Sequence, residues 1–149
     1  MRWPCDQSPE LALHHVVLHA HGEDGLISIG QDADGSPNSI NQWNVGLFQP
    51  LASKDIGCIW INACSPAATT DGARFCLQLA GNSGTTVVAA ADVQYNPSAL
   101  KGALFVPAGS IDDFEGSVYQ FSADGLNYWL INPNGGTFDG PPTVYSTQG

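Results

Sequence analysis

The chain has 149 residues, with 4 lysines and arginines against 14 aspartates and glutamates, giving a formal net charge of −10. Because 43% of the residues are hydrophobic and only 12% are charged, the composition is typical of a single globular domain. Four scattered cations form no basic surface, so we expect no nucleic acid, anionic membrane or polyphosphate partner. Apolar runs stay shorter than the ~18 residues of a spanning helix and no secretory signal is visible, which predicts a cytoplasmic protein.

The first half of the chain predicts two strands and a helix. An apolar run at residues 15–20 predicts a strand, and a shorter strand follows at 26–29. Residues 40–51 place apolar side chains at helical spacing, with Trp43 on the core side, and Pro50 ends or kinks this helix.

The middle of the chain continues the alternation of strands and helices. Residues 57–63 are a nearly continuous apolar run, typical of a strand buried on both faces. Thr70 is the predicted N-cap of a helix that ends at Gly81, and residues 85–91 predict a third buried strand. This order predicts parallel strands joined by right-handed crossovers in an α/β sandwich.

The last third has a different pattern. Residues 117–121 and 127–131 predict an antiparallel hairpin, and the tail from Pro133 predicts irregular structure. We therefore expect one domain over residues 1–149, with a core at 14–92 and a C-terminal hairpin and tail at 103–149.

The four cysteines are predicted to be free thiols. Cys58 and Cys64 fall in one extended segment, too far apart for a disulfide. Cys58 and Cys76 lie within predicted elements and are expected in the core, and Cys5 is uninformative.

The carboxyl ends of the predicted parallel strands collect the residues that could do chemistry, because connecting loops converge there in an open parallel sheet. These strands end at His21-Gly22, at Cys64 and at Asp92. A thiol and an imidazole on neighbouring strand ends can act as nucleophile and general acid/base. The amides of Gly22 and Cys64 could stabilise an oxyanion, and Asp92 could bind a basic side chain or a substrate amine or serve as a turn residue.

Two apolar blocks that end in these residues resemble the caspase-like cysteine peptidases, the clan of caspases, metacaspases, legumain, gingipain, clostripain, separase and bacterial CHAT domains. The blocks are VVLHAHG, ending in His21-Gly22, and CIWINAC, ending in Ala63-Cys64. His21 and Cys64 lie 43 positions apart, near the ~50 typical of caspases, where Gln-Ala-Cys surrounds the nucleophile. The segment after Cys64 is similar to that of bacterial CHAT-type domains and of caspase-like modules in adhesins.

The resemblance implies a cysteine endopeptidase of peptide or protein substrates, the chain itself included, without a cofactor or metal. His21 would be the general acid/base, Cys64 the nucleophile, the Gly22 and Cys64 amides the oxyanion donors, and Asn62 a residue of the S1 pocket. The implied fold is a three-layer α/β sandwich with a mainly parallel sheet, as in the caspase-hemoglobinase fold. Only about 14 residues precede its first strand, so we expect a sheet truncated at the N-terminus, or completed by a partner chain or second copy.

Other functions remain as alternatives. The short N-terminal portion and the uncharged Asn62 motivate an inactive caspase-like interaction module. The sequence HAHGED, from His19 to Asp24, superficially resembles the His-rich motif of metal-dependent hydrolases, but no histidine follows residue 21. A weaker calcium hypothesis rests on alternating oxygen-bearing side chains at Asp32, Asp34, Ser36 and Asn38.

Overall fold

The computed structural model of the chain describes residues 13–92 and 116–131. Cys5, the predicted tail from Pro133 and part of the expected 103–149 unit lie outside these residues. In the described part, the chain has an α/β fold built on a five-stranded sheet and a three-stranded sheet.

The strands of the five-stranded sheet are, in spatial order, β1 (Val16–His19), β5 (Cys58–Asn62), β6 (Thr86–Ala90), β7 (Val118–Phe121) and β8 (Tyr128–Leu130). Its first three strands pair in parallel and its last two join antiparallel. This confirms the parallel pairing predicted for three apolar runs and the C-terminal hairpin. The sheet is mixed, however, with two parallel and two antiparallel pairings, whereas a mainly parallel sheet was expected.

A separate three-stranded antiparallel sheet follows β1 and was not predicted as a unit. It consists of β2 (His21–Glu23), β3 (Leu26–Gln31) and β4 (Pro37–Asn41). The turn between β2 and β3 needs Gly25, whose φ of 74° lies in the left-handed region. The strand predicted at 26–29 is therefore confirmed, but it belongs to this small sheet.

The helix predicted over residues 40–51 is wrong at its start. The chain is still extended in β4, and a 3₁₀ helix occupies only Val45–Ser53. Asn44 Nδ2 donates to the Ser39 carbonyl over 2.7 Å, and this side-chain bond stabilises a turn where the apolar spacing suggested a helix. Trp43 lies in that turn with 83% of its surface exposed, so its predicted place in the core is also wrong.

Helix α1 (Thr70–Ser83) confirms the predicted helix with shifted ends. Thr69, not Thr70, is the N-cap, and its hydroxyl accepts a hydrogen bond from the Asp71 N–H. The helix runs past Gly81 to Gly84, which takes the left-handed C-cap conformation.

Strand β5 lies in the interior of the sheet, and all five of its residues are buried. Ile59 and Ile61 pack into a cluster that includes Leu79 of α1. Trp60 joins a second cluster with Val88. Because successive side chains of a strand point to opposite faces, both faces of β5 are covered, as the apolar run predicted.

The prediction of four free thiols is wrong for Cys58, which is disulfide-bonded. Cys64 and Cys76 form no disulfide. The distance argument excluded only a Cys58–Cys64 pair, and it left pairing with another segment open.

No helix in residues 13–92 or 116–131 combines the length and apolar character needed to cross a membrane.

Candidate functional site

The parallel pairing of β1 with β5 brings the segment of His21 beside the segment of Cys64. Val16 pairs with Ile59 and His19 pairs with Asn62, so partners are 43 positions apart. His21 and Cys64 have the same separation. The pairing extends one residue past β1, because the Ala20 N–H donates to the Asn62 carbonyl over 3.3 Å. Both segments therefore leave the sheet at the carboxyl ends of the parallel strands.

The two segments are in direct contact at Gly22. A Cβ atom built on Gly22 would lie 2.7 Å from the Cys64 carbonyl oxygen and 2.8 Å from the Ala63 Cβ. Neither distance is possible for a real Cβ atom without a shift, so only a glycine fits here as the chain stands. The backbone next to His21 thus packs against the backbone of the thiol residue.

His21 itself lies in an element that the sequence did not predict. The first strand ends at His19, and His21 is the first residue of β2, where its side chain is exposed. The histidine therefore begins the small sheet after the main sheet has ended, at the boundary between the two.

Cys64 is the second residue of the loop between β5 and α1. We call residues 64–69 of this loop the thiol loop. Two hydrogen bonds fasten this loop to the end of β6: Ser65 N–H donates to the Asp92 carbonyl over 3.0 Å, and Ala67 N–H to the Ala90 carbonyl over 3.1 Å. Ser65 adopts a φ of 46°, which is unusual for a residue other than glycine. The loop is held in a defined, sharply turned path.

Cys64 and Cys76, the two cysteines of residues 13–92 and 116–131 that form no disulfide, differ in their surroundings. Cys76 is fully buried, and this burial raises the pKa of its thiol far above the ordinary value. Cys64 is partly exposed. Because the thiolate is the nucleophile and must be reachable, Cys64 is the candidate for chemistry and Cys76 belongs to the core.

The two predicted substrate-binding side chains, Asn62 and Asp92, both lie within hydrogen-bonding distance of other residues of the protein. Asn62 is 7% exposed, and its Nδ2 lies 3.2 Å from His19 Nδ1, within hydrogen-bonding distance. The Asp92 carboxylate accepts a hydrogen bond from the Ser117 N–H over 2.8 Å, which ties the end of β6 to the start of β7.

Asp24 makes a set of contacts that the sequence analysis missed. Its Oδ1 accepts a hydrogen bond from the Thr69 N–H over 2.8 Å, and its Oδ2 accepts one from the Thr69 hydroxyl. In the sequence, Asp24 appears only as the last residue of HAHGED, followed by Gly25. The one signal was its position three residues after His21, and that signal could not identify Thr69 as the partner.

The remaining histidines and oxygen-bearing side chains give no metal centre in the described part of the chain. Residues 13–92 and 116–131 contain no group of three or more His, Cys, Asp or Glu side chains placed to share a metal ion. In the suggested calcium loop, Asp32 Oδ1 accepts a hydrogen bond from Asn38 Nδ2, and Asp34 Oδ1 accepts one from the Ser36 N–H.

His15, the residue before β1, is packed against the ring of Trp60. Trp60 Nε1–H donates to His15 Nδ1 over 2.9 Å, and the two ring centroids lie 5.8 Å apart. Burial, and secondarily the neighbouring His14, lowers the pKa of His15 to about 4. His15 is therefore neutral near pH 7 and accepts the tryptophan hydrogen bond.

A cavity of about 430 Å³ lies next to the thiol loop, between the start of α1 and the hairpin. Small side chains form one wall and stacked aromatic rings the other, with the Phe121 and Tyr128 centroids 5.3 Å apart. Its lining residues are Ala67, Ala68, Thr69, Thr70, Ala73, Tyr119, Phe121 and Tyr128.

No protein-family model matches the chain, and no match was found among curated proteins or among solved structures.

Proposed function

We propose that the protein is a caspase-like cysteine endopeptidase that uses His21 and Cys64 as a catalytic dyad. The observation that carries the proposal is the contact of Gly22 with Ala63 and Cys64, which places the His-Gly and Ala-Cys segments side by side. The partly exposed thiol can serve as the nucleophile, and the exposed imidazole of the neighbouring segment can serve as its general acid/base.

The proposed reaction proceeds through an acyl-enzyme. The Cys64 thiolate attacks the carbonyl carbon of the scissile peptide bond, and the oxyanion formed there accepts hydrogen bonds from the Gly22 and Cys64 amides. His21 gives a proton to the leaving amine as the C–N bond breaks. Water then attacks the thioester with His21 as general base, releasing the acid product and the free thiol.

The proposed fold is the three-layer sandwich of this clan. The parallel start of the five-stranded sheet supports it, as do buried side chains on both faces of β5. Among the described residues β1 lies at one edge of the sheet, which is the place where the proposed partner chain or second copy would add strands.

Peptide and protein substrates remain the proposed partners. A net charge of −10 favours cationic or neutral substrates over acidic ones. A cytoplasmic location is the expectation from the sequence, whereas the disulfide at Cys58 favours an oxidising compartment.

Cleavage of a diverse peptide library tests the proposal. We expect Cys64→Ala and His21→Ala to abolish cleavage, whereas Cys76→Ala, the same change at a buried thiol, and His14→Ala retain it. A thiol-reactive peptide analogue should label Cys64 in the wild type. Cleavage that persists in Cys64→Ala would overturn the assignment.

An inactive caspase-like interaction module is the second candidate. The observation that favours it is that the Asn62 amide lies against His19 and the Asp92 carboxylate binds the Ser117 N–H. For such a module, Cys64 would react with iodoacetamide, but neither peptide cleavage nor labelling by electrophilic peptides would be observed.

A further inference from the structure

The segment from Ala20 to Gly25, which we call the histidine segment, touches the end of β5 and the thiol loop at successive points. Ala20 N–H donates to the Asn62 carbonyl, Gly22 packs on Cys64, and Gly25 N–H donates to the Pro66 carbonyl over 3.0 Å. These three contacts involve backbone atoms of the histidine segment. The contact of Asp24 with Thr69 is made by a side chain.

The Asp24 carboxylate occupies a fitted position at the start of α1. A Cβ atom on Gly72 would lie 2.1 Å from Asp24 Oδ1 and 2.6 Å from the Pro66 carbonyl oxygen. The absence of a side chain at Gly72 therefore leaves the space that the carboxylate uses. Asp24 also places negative charge at the positive end of the α1 dipole, which is favourable.

Thr69 connects the Asp24 carboxylate to the C-terminal end of the thiol loop and to the start of α1. It is the last residue of the loop and the N-cap of α1, and its hydroxyl also accepts the Asp71 N–H over 3.2 Å. One carboxylate thus holds the C-terminal end of the loop, while the Gly22 contact holds its beginning. The position of Cys64 relative to His21 depends on both.

We propose that Asp24 is a positioning residue that fixes the thiol loop, and with it Cys64, against the histidine segment through Thr69. The effect on catalysis rests on the proposed peptidase function. The effect on the loop itself does not.

Three variants separate the carboxylate's hydrogen bonds from its charge and from turn formation. Asp24→Ala removes both bonds to Thr69. Asp24→Asn keeps an oxygen that can accept the Thr69 N–H and an amide that can donate to the Thr69 hydroxyl. Asp34→Ala is the matched control, because Asp34 also precedes a turn glycine, is exposed, and accepts the Ser36 N–H within its own turn.

The first readout is the reaction of Cys64 with iodoacetamide as a function of pH, followed by mass spectrometry. We expect Asp24→Ala to shift this pH profile towards that of His21→Ala, while Asp24→Asn and Asp34→Ala keep the wild-type profile. With a cleaved library peptide, Asp24→Ala should lower kcat about 100-fold with little change in KM, the size of a roughly 1 Å misplacement.

The second readout is amide hydrogen exchange, which needs no turnover. We expect exchange at residues 64–69 to become faster in Asp24→Ala and not in Asp34→Ala. Unchanged exchange in this loop would overturn the inference. If Asp24→Ala lowers the melting temperature but leaves both the exchange at residues 64–69 and the alkylation of Cys64 as in the wild type, Asp24 serves helix capping alone and the inference is overturned.

The outcomes distinguish this inference from the proposed function. If the wild type cleaves no peptide and His21→Ala alkylates like the wild type, the peptidase proposal fails. Faster exchange confined to residues 64–69 in Asp24→Ala would still support the positioning role in that case.

Discussion

Gly22→Ala tests the contact on which the candidate site depends. The added methyl would lie 2.7 Å from the Cys64 carbonyl oxygen, whereas ordinary contact begins near 3.4 Å, so the two segments must separate by about 0.7 Å. Because Gly22 is not among the glycines with positive φ, alanine has no conformational penalty there, and the whole effect comes from the clash.

The size of the effect follows from the neighbouring atoms. The carbonyl oxygen and the Ala63 Cβ belong to the chain at the end of buried β5, which cannot move as a flexible side chain tip can. We expect a loss of about 1–3 kcal/mol in the free energy of unfolding, the usual cost of overpacking. A displacement of this size should also lower peptide cleavage by up to about 100-fold.

Gly46→Ala is the matched control for this prediction. A Cβ atom at Gly46 meets nothing within 4 Å, so the same chemical change should leave stability within about 0.5 kcal/mol or raise it slightly. Denaturant unfolding and Cys64 alkylation measure both effects. If Gly22→Ala unfolds and alkylates like Gly46→Ala, the proposed contact between the two segments is wrong.

Two further predictions concern pH and the cysteines. The pKa of His15 is lowered to about 4 in the folded protein against an ordinary value near 6.5, so the unfolded chain takes up the proton first as the pH falls. The stabilisation of the folded protein by the neutral His15 is therefore fully present above pH 6.5 and is lost as the pH falls towards 4. Denaturant unfolding of the wild type between pH 6.5 and 4 should show a loss of about 1–2 kcal/mol in the free energy of unfolding that His15→Gln does not show. This is less than the whole pKa difference would give, because the ring is partly exposed. The same pH dependence in both proteins would refute the prediction. Alkylation after unfolding without a reductant should label Cys64 and Cys76 but not Cys58, which should react only after reduction, and peptide mass mapping that finds Cys58 labelled at once would contradict the disulfide.

The sequence predicted the parts of the fold that long apolar runs determine. Burial on both faces requires a nearly continuous apolar strand, so β5 and β6 could be recognised from their residues alone. The start of the 3₁₀ helix could not be recognised, because the side-chain hydrogen bonds of Asn44 override the apolar spacing around it. Local polar bonds of this kind have no periodic pattern.

Part of the candidate site could also be predicted from the sequence. Strand ends selected His21 and Cys64, because parallel strands collect their carboxyl ends at one edge. The contact of Asp24 with Thr69 joins residues 45 positions apart and depends on the path of the small sheet. Nothing in the local sequence specifies that path, so this contact required the structure.

The pairing of β1 with β5 also determines how the chain between them can change. Because the strand register pairs His19 with Asn62 and Gly22 packs against Cys64, the number of residues between the two segments does not set how they are aligned. A longer turn between β3 and β4, or a longer connection before the 3₁₀ helix, would change the spacing of 43 while leaving both strand ends in place. The number of residues between the histidine and the cysteine is therefore a poor criterion for recognising related chains. A glycine packed against the cysteine backbone is a better criterion, because it reports the geometry directly.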